Sequence, residues 1–219
     1  MSSGKLEFAL LRDVDDAAQR AVIGACTPRR FARREVVFHE GDPGDCLHLV
    51  VSGRFAVRVT TPRGDGVTLR VIGAGGVFGE LVLLDPHARR VATVVALEPA
   101  RTLVLTAARF AALRRRHPEV DRVLVAMLAD NVRRLSGQVL EALYVPVDER
   151  VARRLHELAG VYGAEVPVTQ DDLAGMAGTT RASANLALRR LAGRGVVTLG
   201  RGRIVVHRLP ALGREAEPA

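Results

Sequence analysis

The stretch FGELVLLDPHARRVATVVA, Phe78 to Ala96, decides how this chain is to be read. Phe78-Gly79-Glu80 ends an apolar strand pattern and opens a short helical turn. Backbone N–H groups at such a start present partial positive charge to an anion. Arg90 stands just before the β-branched run Ala92–Ala96, where its forked guanidinium can pair with the same anion. Glu80 carries further information. A carboxylate beside a phosphate is unfavourable unless the ligand donates a hydrogen bond to it, so Glu80 points to a ribose hydroxyl. The pattern therefore suits a nucleotide better than inorganic phosphate. The candidate ligand-binding residues of this stretch are Phe78, Gly79, Glu80, Leu81, Arg90 and Val91.

Working outward, residues 8–116 read as short strands. Runs rich in β-branched and apolar residues begin at Glu35, Leu47, Phe55 and Val67. Glycine-marked turns separate them at Gly41–Gly44, Ser52–Gly53, Pro62–Gly66 and Gly73–Gly76. Near-regular strand spacing with Gly/Asp turns predicts a roll or sandwich rather than a βαβ sheet. Flanking helices are expected over about 14–25 and 106–116, opened near Asp13 and Thr106.

The period then changes. Pro118 sits where a helix can begin, with Glu119 and Asp121 at its positive end. Val120, Leu124, Leu128, Leu135, Val139 and Leu143 recur in steps of four and seven, with Val123, Met127 and Val132 beside them. One helix over 118–144 is expected, about 40 Å long. So wide an apolar stripe calls for a partner helix along its length or for packing on the chain's own β-domain. Pro146 is expected to end it and to mark a hinge, closing a segment over 117–145.

Residues 146–210 read as a second domain. Asp148 is expected to cap a helix over 149–160 ended by Gly160. Thr169 with Asp171-Asp172 opens a short helix, and Gly178-Thr179-Thr180 turns into another over 180–193. Val196–Leu199 and Ile204–His207, joined across Gly200-Arg201-Gly202-Arg203, form a two-stranded wing. Two short helices joined by a glycine-containing turn, the second rich in arginine, are the helix-turn-helix layout. The tail over 211–219 is expected to be disordered.

Charge placement agrees with that layout. The formal net charge is +8, and Lys5 is the single lysine among the 32 basic residues. Between Leu173 and Gly213 there is no acidic residue, whereas Arg181, Arg189, Arg190, Arg194, Arg201, Arg203 and Arg208 all fall there. Such a one-signed stretch is the electrostatic footprint of a phosphate-backbone binder, or else a solvated basic face. The candidate DNA-binding residues are Thr169, Thr180, Arg181, Ser183, Asn185, Arg189, Arg201 and Arg203. Arginine can take guanine and asparagine adenine through paired hydrogen bonds, while the threonines and the wing arginines suit phosphates.

Other chemistries find little support. Cys26 and Cys46 are too few for a disulfide framework or a thiolate cluster, and six scattered histidines show no metal spacing. No nucleophile–base pair or carboxylate dyad is legible. No enzyme activity, metal site or bound cofactor is expected. No apolar run reaches the roughly 20 residues that span a bilayer, and the N-terminus lacks a secretory layout, so a cytoplasmic location without membrane contact is expected.

FGELVLL…RRVATVVA resembles the phosphate-binding cassette of cyclic-nucleotide-binding domains, and Phe38–Gly53 resembles the glycine-marked turn upstream of it. With the helix-turn-helix behind, residues 8–210 resemble the CRP/FNR superfamily of bacterial transcriptional regulators. The resemblance implies an α+β chain: an N-terminal cyclic-nucleotide-binding β-roll (jelly-roll-like), a long dimerisation helix and a C-terminal winged helix-turn-helix. It also implies double-stranded DNA, a second copy of the chain, a cyclic nucleotide and RNA polymerase as partners. Gly79 and Glu80 would meet ribose and phosphate, Arg90 the cyclic phosphate, and Ser136 the nucleotide of the partner subunit. Cyclic AMP is the leading effector, with cyclic GMP or a cyclic dinucleotide as alternatives. The other reading is a constitutive or otherwise-regulated DNA-binding protein whose roll binds no nucleotide.

The chain departs from cyclic-AMP-binding members at four places. Val91 offers only a backbone N–H where Ser, Thr or Ala is common. Leu135 replaces a threonine that recognises the adenine amino group. Ala182 and Leu186 stand where a glutamate and an arginine read bases, which leaves the operator sequence open. A two-fold palindrome with half-sites about one helical turn apart is expected from dimer geometry.

Overall fold

The protein is described by a computed structural model covering residues 8, 11, 15–60, 66–85 and 87–216. It divides into two compact units, one of residues 1–60 and 71–133, the other of 61–70 and 134–219. The division falls inside the long helix, between Arg133 and Arg134, rather than at 116 or 146 where the sequence pattern changes.

Two four-stranded sheets are drawn from the first unit and, for most of β5, from residues 66–70. β1 (Thr27–Phe31), β3 (Cys46–Ser52), β6 (Val77–Phe78) and β8 (Ala100–Thr106) form one, in the order β1-β8-β3-β6. β2 (Val36–Phe38), β4 (Phe55–Thr60), β5 (Gly66–Ile72) and β7 (Thr93–Ala96) form the other, in the order β2-β7-β4-β5. The period of two along β3 serves two cores at once. Leu47 and Leu49 face helices α1 (Asp16–Gly24) and α2 (Ala107–Arg116), packing with Val22, Phe110, Val123 and Met127. Val50 points the other way, between the sheets, into a cluster with Phe31, Phe55, Phe78 and Val94. Thr106 caps α2 as expected, whereas α1 is capped by Asp15, whose carboxylate accepts from the amides of Ala17 and Ala18. Asp13, expected in that role, lies outside the described residues.

The long helix begins later than expected. Pro118–Val120 form a 3₁₀ turn, and α3 runs from Asp121 to Tyr144. Its apolar residues serve two faces. Val123, Leu124 and Met127 are buried in the first unit's core. Val125, Leu128, Val132, Leu135, Val139 and Leu143 recur in steps of three and four and are exposed, Leu143 by 69%.

The second unit holds α4 (Val147–Tyr162), α5 (Gln170–Met176), α6 (Arg181–Gly193), α7 (Leu209–Ala216) and a sheet in the order β10-β11-β9. β10 (Val197–Gly200) and β11 (Arg203–Val206) are the expected wing, and β9 (Glu165–Val166) adds a third strand. Val151, Leu155, Leu173, Leu188, Ile204 and Leu212 are its buried core. Three expectations need correction. α4 begins at Val147 with Pro146 in the cap position, and Asp148 instead pairs with Arg190. Gly160 does not end α4, which runs two residues further to stop before Gly163. The expected disordered tail is helical as far as Ala216, because Leu212 and Ala216 bury themselves at helical spacing; residues 217–219 lie outside the described residues.

Candidate nucleotide pocket and nucleic-acid interface

Arg90 is the centre of the first site. Its backbone is tied to the upstream glycine turn: the Gly41 amide donates to Arg90 O and the Arg90 amide to Asp42 O, each at 2.8 Å. Gly44 N donates to Ala88 O, and a Cβ at Gly44 would stand 2.9 Å from that oxygen. The two glycine-marked stretches are thus one structure, and the turn at 41–44 places Arg90.

The Arg90 side chain is only 7% exposed. Its guanidinium lies over the Phe38 ring, 4.1 Å from the centroid, and donates to Gly79 O at 3.2 Å. The nearest carboxylate, that of Asp45, is 3.5 Å away on an exposed side chain, and Nε has no hydrogen-bond partner among the described residues. A buried cation with so little counter-charge is costly unless a further anion completes it. Gly79 holds φ at 78°, and a Cβ there would stand 2.6 Å from Arg90 Nη1. Only glycine satisfies both conditions.

Glu80 opens a 3₁₀ turn over Glu80–Leu83. Its carboxylate accepts from Asn131 Nδ2 of α3 at 3.1 Å. Sequence reading missed Asn131, although a signal existed: four residues beyond Met127, it continues the buried stripe with a polar side chain. Phe78 is buried and stacks on His48, ring centroids 4.8 Å apart. Leu81 is half-buried. Val91 is 64% exposed, and Ser136 is exposed on α3.

Burial sets the local titration. His48 is pushed down to about 3, first by burial and then by the charges of Arg90 and Arg29. Its Nδ1 lies 3.1 Å from Thr102 Oγ1. The Cys46 thiol, 3.5 Å from Arg90 Nη2, is pushed up to about 11, mainly by burial. Both groups are neutral at neutral pH, so neither adds charge beside Arg90.

In the second unit, α5, the turn at Ala177–Thr180 and α6 make a helix-turn-helix. Thr169 caps α5 in a reciprocal arrangement with Asp172, donating its hydroxyl to that carboxylate at 2.7 Å. Thr180 caps α6 and lies 3.0 Å from Ser183 Oγ. Arg150 of α4, also buried, holds the turn by donating to Ala177 O at 2.8 Å and Gly178 O at 3.1 Å. Arg154 donates to Met176 O, and Glu141 of α3 accepts from both Arg153 and Arg154. These supports were not legible in sequence, since nothing local distinguishes them from solvated helix charges.

The expected DNA-contacting side chains are exposed or half-buried, and several already have partners. Arg181 pairs with Asp171 at 3.3 Å, Arg203 with Glu165 at 2.8 Å, and Asn185 donates to Gln170. Arg189 and Arg201 are exposed and unpaired among the described residues.

Residues 28–117 match the family model of the cyclic nucleotide-binding domain, and residues 149–215 that of the Crp-like helix-turn-helix domain. The chain is a CRP/FNR-family transcriptional regulator. It is 34% identical over 180 residues to the cyclic AMP receptor protein of Thermus thermophilus, covering 82% of this chain and 83% of that protein. Over 215 residues it is 27% identical to a CRP-like cAMP-activated global transcriptional regulator of Mycobacterium tuberculosis, covering 94% and 96%. The crystal structure of the Thermus thermophilus catabolite activator protein aligns with a TM-score of 0.56 at 31% identity, over 94% of this chain and 97% of that one. In this CRP/FNR regulator the cyclic nucleotide-binding match covers β1 to α2, and α5 and α6 both lie within the helix-turn-helix match. Among the described residues no helix is long and apolar enough to cross a membrane, and no cluster of His, Cys, Asp and Glu suits a metal ion.

Proposed function

We propose that this regulator works as a homodimer in which a cyclic nucleotide, cyclic AMP first, raises affinity for a palindromic operator. The observation that carries the ligand reading is the buried Arg90 guanidinium, short of counter-charge and walled by Gly79. A cyclic phosphate supplies the missing anion there, and Glu80, steadied by Asn131, accepts from the ribose hydroxyl. Nucleotide binding to α3 through Asn131 and Glu80 couples the pocket to the long helix. Its exposed apolar stripe supports pairing with the same stripe of a second copy, which buries both. Ser136, exposed one turn from Val132 and Leu140, is the residue that the family resemblance offers as a contact to the partner's nucleotide.

The DNA contacts follow from α6 and the wing. Arg181, Ser183, Asn185 and Arg189 face the major groove, while Thr169, Thr180, Arg201 and Arg203 hold phosphates. The intramolecular pairs of Arg181 and Arg203 are exposed and weak enough to yield to phosphate. The ligand acts by population shift, so operator DNA must raise nucleotide affinity by the factor that nucleotide raises operator affinity. Bound beside a promoter, the dimer would present its surface to RNA polymerase in the cytoplasm.

Calorimetric titration of the nucleotide-stripped protein with cyclic AMP, cyclic GMP and cyclic di-GMP tests the ligand reading, with Arg90→Ala as control. Saturable cyclic AMP binding, weakened about ten- to a hundred-fold in the variant, is expected for a charge-assisted contact. Binding of none of the three would favour the alternative of a regulator whose β-domain takes no nucleotide, for which exposed Val91 and apolar Leu135 supply the motive.

A further inference from the structure

The surface of α6 offers less polar reading capacity than its composition suggests. Asn185 donates its amide to Gln170, Ser183 is tied to the capping Thr180, and Arg181 is drawn to Asp171. What α6 leaves open is a short stripe at steps of four and three: Ala182, Leu186 and Arg189. Leu186 is 53% exposed, and among the described residues it is the one large apolar side chain that α6 presents to solvent. The other leucines of the helix, Leu188 and Leu191, are buried in the domain core.

An exposed leucine is unremarkable on most surfaces. Here it stands between the capped N-terminus of α6 and Arg189, in a segment without a single acidic residue from 173 to 213. That charge suits the phosphates of a duplex, and the duplex supplies one apolar group in its major groove, the 5-methyl of thymine. We propose that Leu186, with Ala182 beside it, reads the 5-methyl group of a thymine in each operator half-site. The inference rests on the assignment of α6 as a recognition helix and adds the chemistry that it reads. Leu186 can neither donate nor accept a hydrogen bond, so it discriminates by desolvation alone. The preference is for thymine over cytosine or uracil, which lack the methyl, and its strength is that of one buried methyl-sized group.

The test is selection of duplexes from a random-sequence library by the full-length protein at low salt, with and without cyclic AMP. Each thymine of the selected half-site is then replaced in turn by deoxyuridine, which removes only the methyl. At one position the replacement should weaken wild-type binding about fourfold per half-site. Leu186→Ala, a surface change that leaves the core intact, should bind the selected duplex more weakly and lose sensitivity to that replacement. Uracil tolerated at every position overturns the proposal, as does equal weakening of both proteins. Leu186→Ala binding the selected duplex as tightly as wild type overturns it as well. Failure to retain any duplex under either condition would instead overturn the recognition-helix assignment, leaving Leu186 as a protein-contact residue.

Discussion

The candidate nucleotide site and the candidate DNA-facing surface handle arginine in opposite ways. In the first, a single guanidinium is 7% exposed, fixed by the 41–44 turn, by Phe38 and by Gly79, and only edged by one exposed carboxylate. In the second, Arg181, Arg190 and Arg203 are exposed and each sits in a surface ion pair. Water screens the second set, and each such pair is worth about 0–1 kcal/mol. It does not screen the first. On the proposed function, ligand recognition concentrates in one residue, whereas phosphate attraction is spread over many interchangeable ones.

The largest effect that would break this contrast is at Arg90. Arg90→Met keeps much of the volume and removes an under-compensated buried charge. Without nucleotide, the variant is expected to melt no lower than wild type, and higher by up to about 2 kcal/mol of stability, while losing nucleotide binding. A markedly lower melting temperature would mean that Asp45 and Gly79 already satisfy the guanidinium.

His48 gives the next effect, through pH. The unfolded chain takes up a proton on this residue near 6.5, but the native state holds it neutral down to about 3. Stability therefore falls as pH drops below 6.5. The loss should reach about 2 kcal/mol by pH 5, read from chemical denaturation at the two pH values. His48→Gln should flatten that dependence. Unchanged pH dependence in the variant would place the acid sensitivity elsewhere.

Asn131→Ala removes the donor that steadies Glu80. Cyclic AMP affinity should fall about three- to tenfold, the worth of one hydrogen bond, in the same calorimetric titration. No change would show that the ribose contact orients Glu80 unaided. The smallest effect is expected at the wing. Arg201→Ala should lower the slope of log affinity against log salt by about 0.9 per half-site while shifting affinity almost uniformly across sequences. A sequence-dependent loss would make Arg201 a base reader and blur the contrast between regions.

Much of this organisation was legible beforehand because it rests on local rules. Alternation and glycine turns marked the strands, Thr106 and Thr169 marked helix starts, and an acid-free stretch marked the basic domain. The structure departs from those rules where tertiary packing overrides them. Leu212 and Ala216 hold a helix in a tail whose composition suggested disorder, and the pairing of Asp148 with Arg190 takes away its expected capping role. The α3 pattern left two partners open, and the structure divides its apolar residues between its own β-domain and solvent.

The site shows the same limit. Gly79, Glu80 and Arg90 could be named from sequence because their spacing follows a strand, a turn and the next strand. The sequence alone also determined that the chain has a nucleotide-type cassette and a basic helix-turn-helix, since both are written in contiguous residues. Only tertiary structure decided that Arg90 is buried, that Asn131 touches Glu80, and that Arg150 holds the helix-turn-helix turn. Those facts depend on which distant residues meet in a low-dielectric interior, and burial, unlike periodicity, is a property that no stretch of chain has by itself.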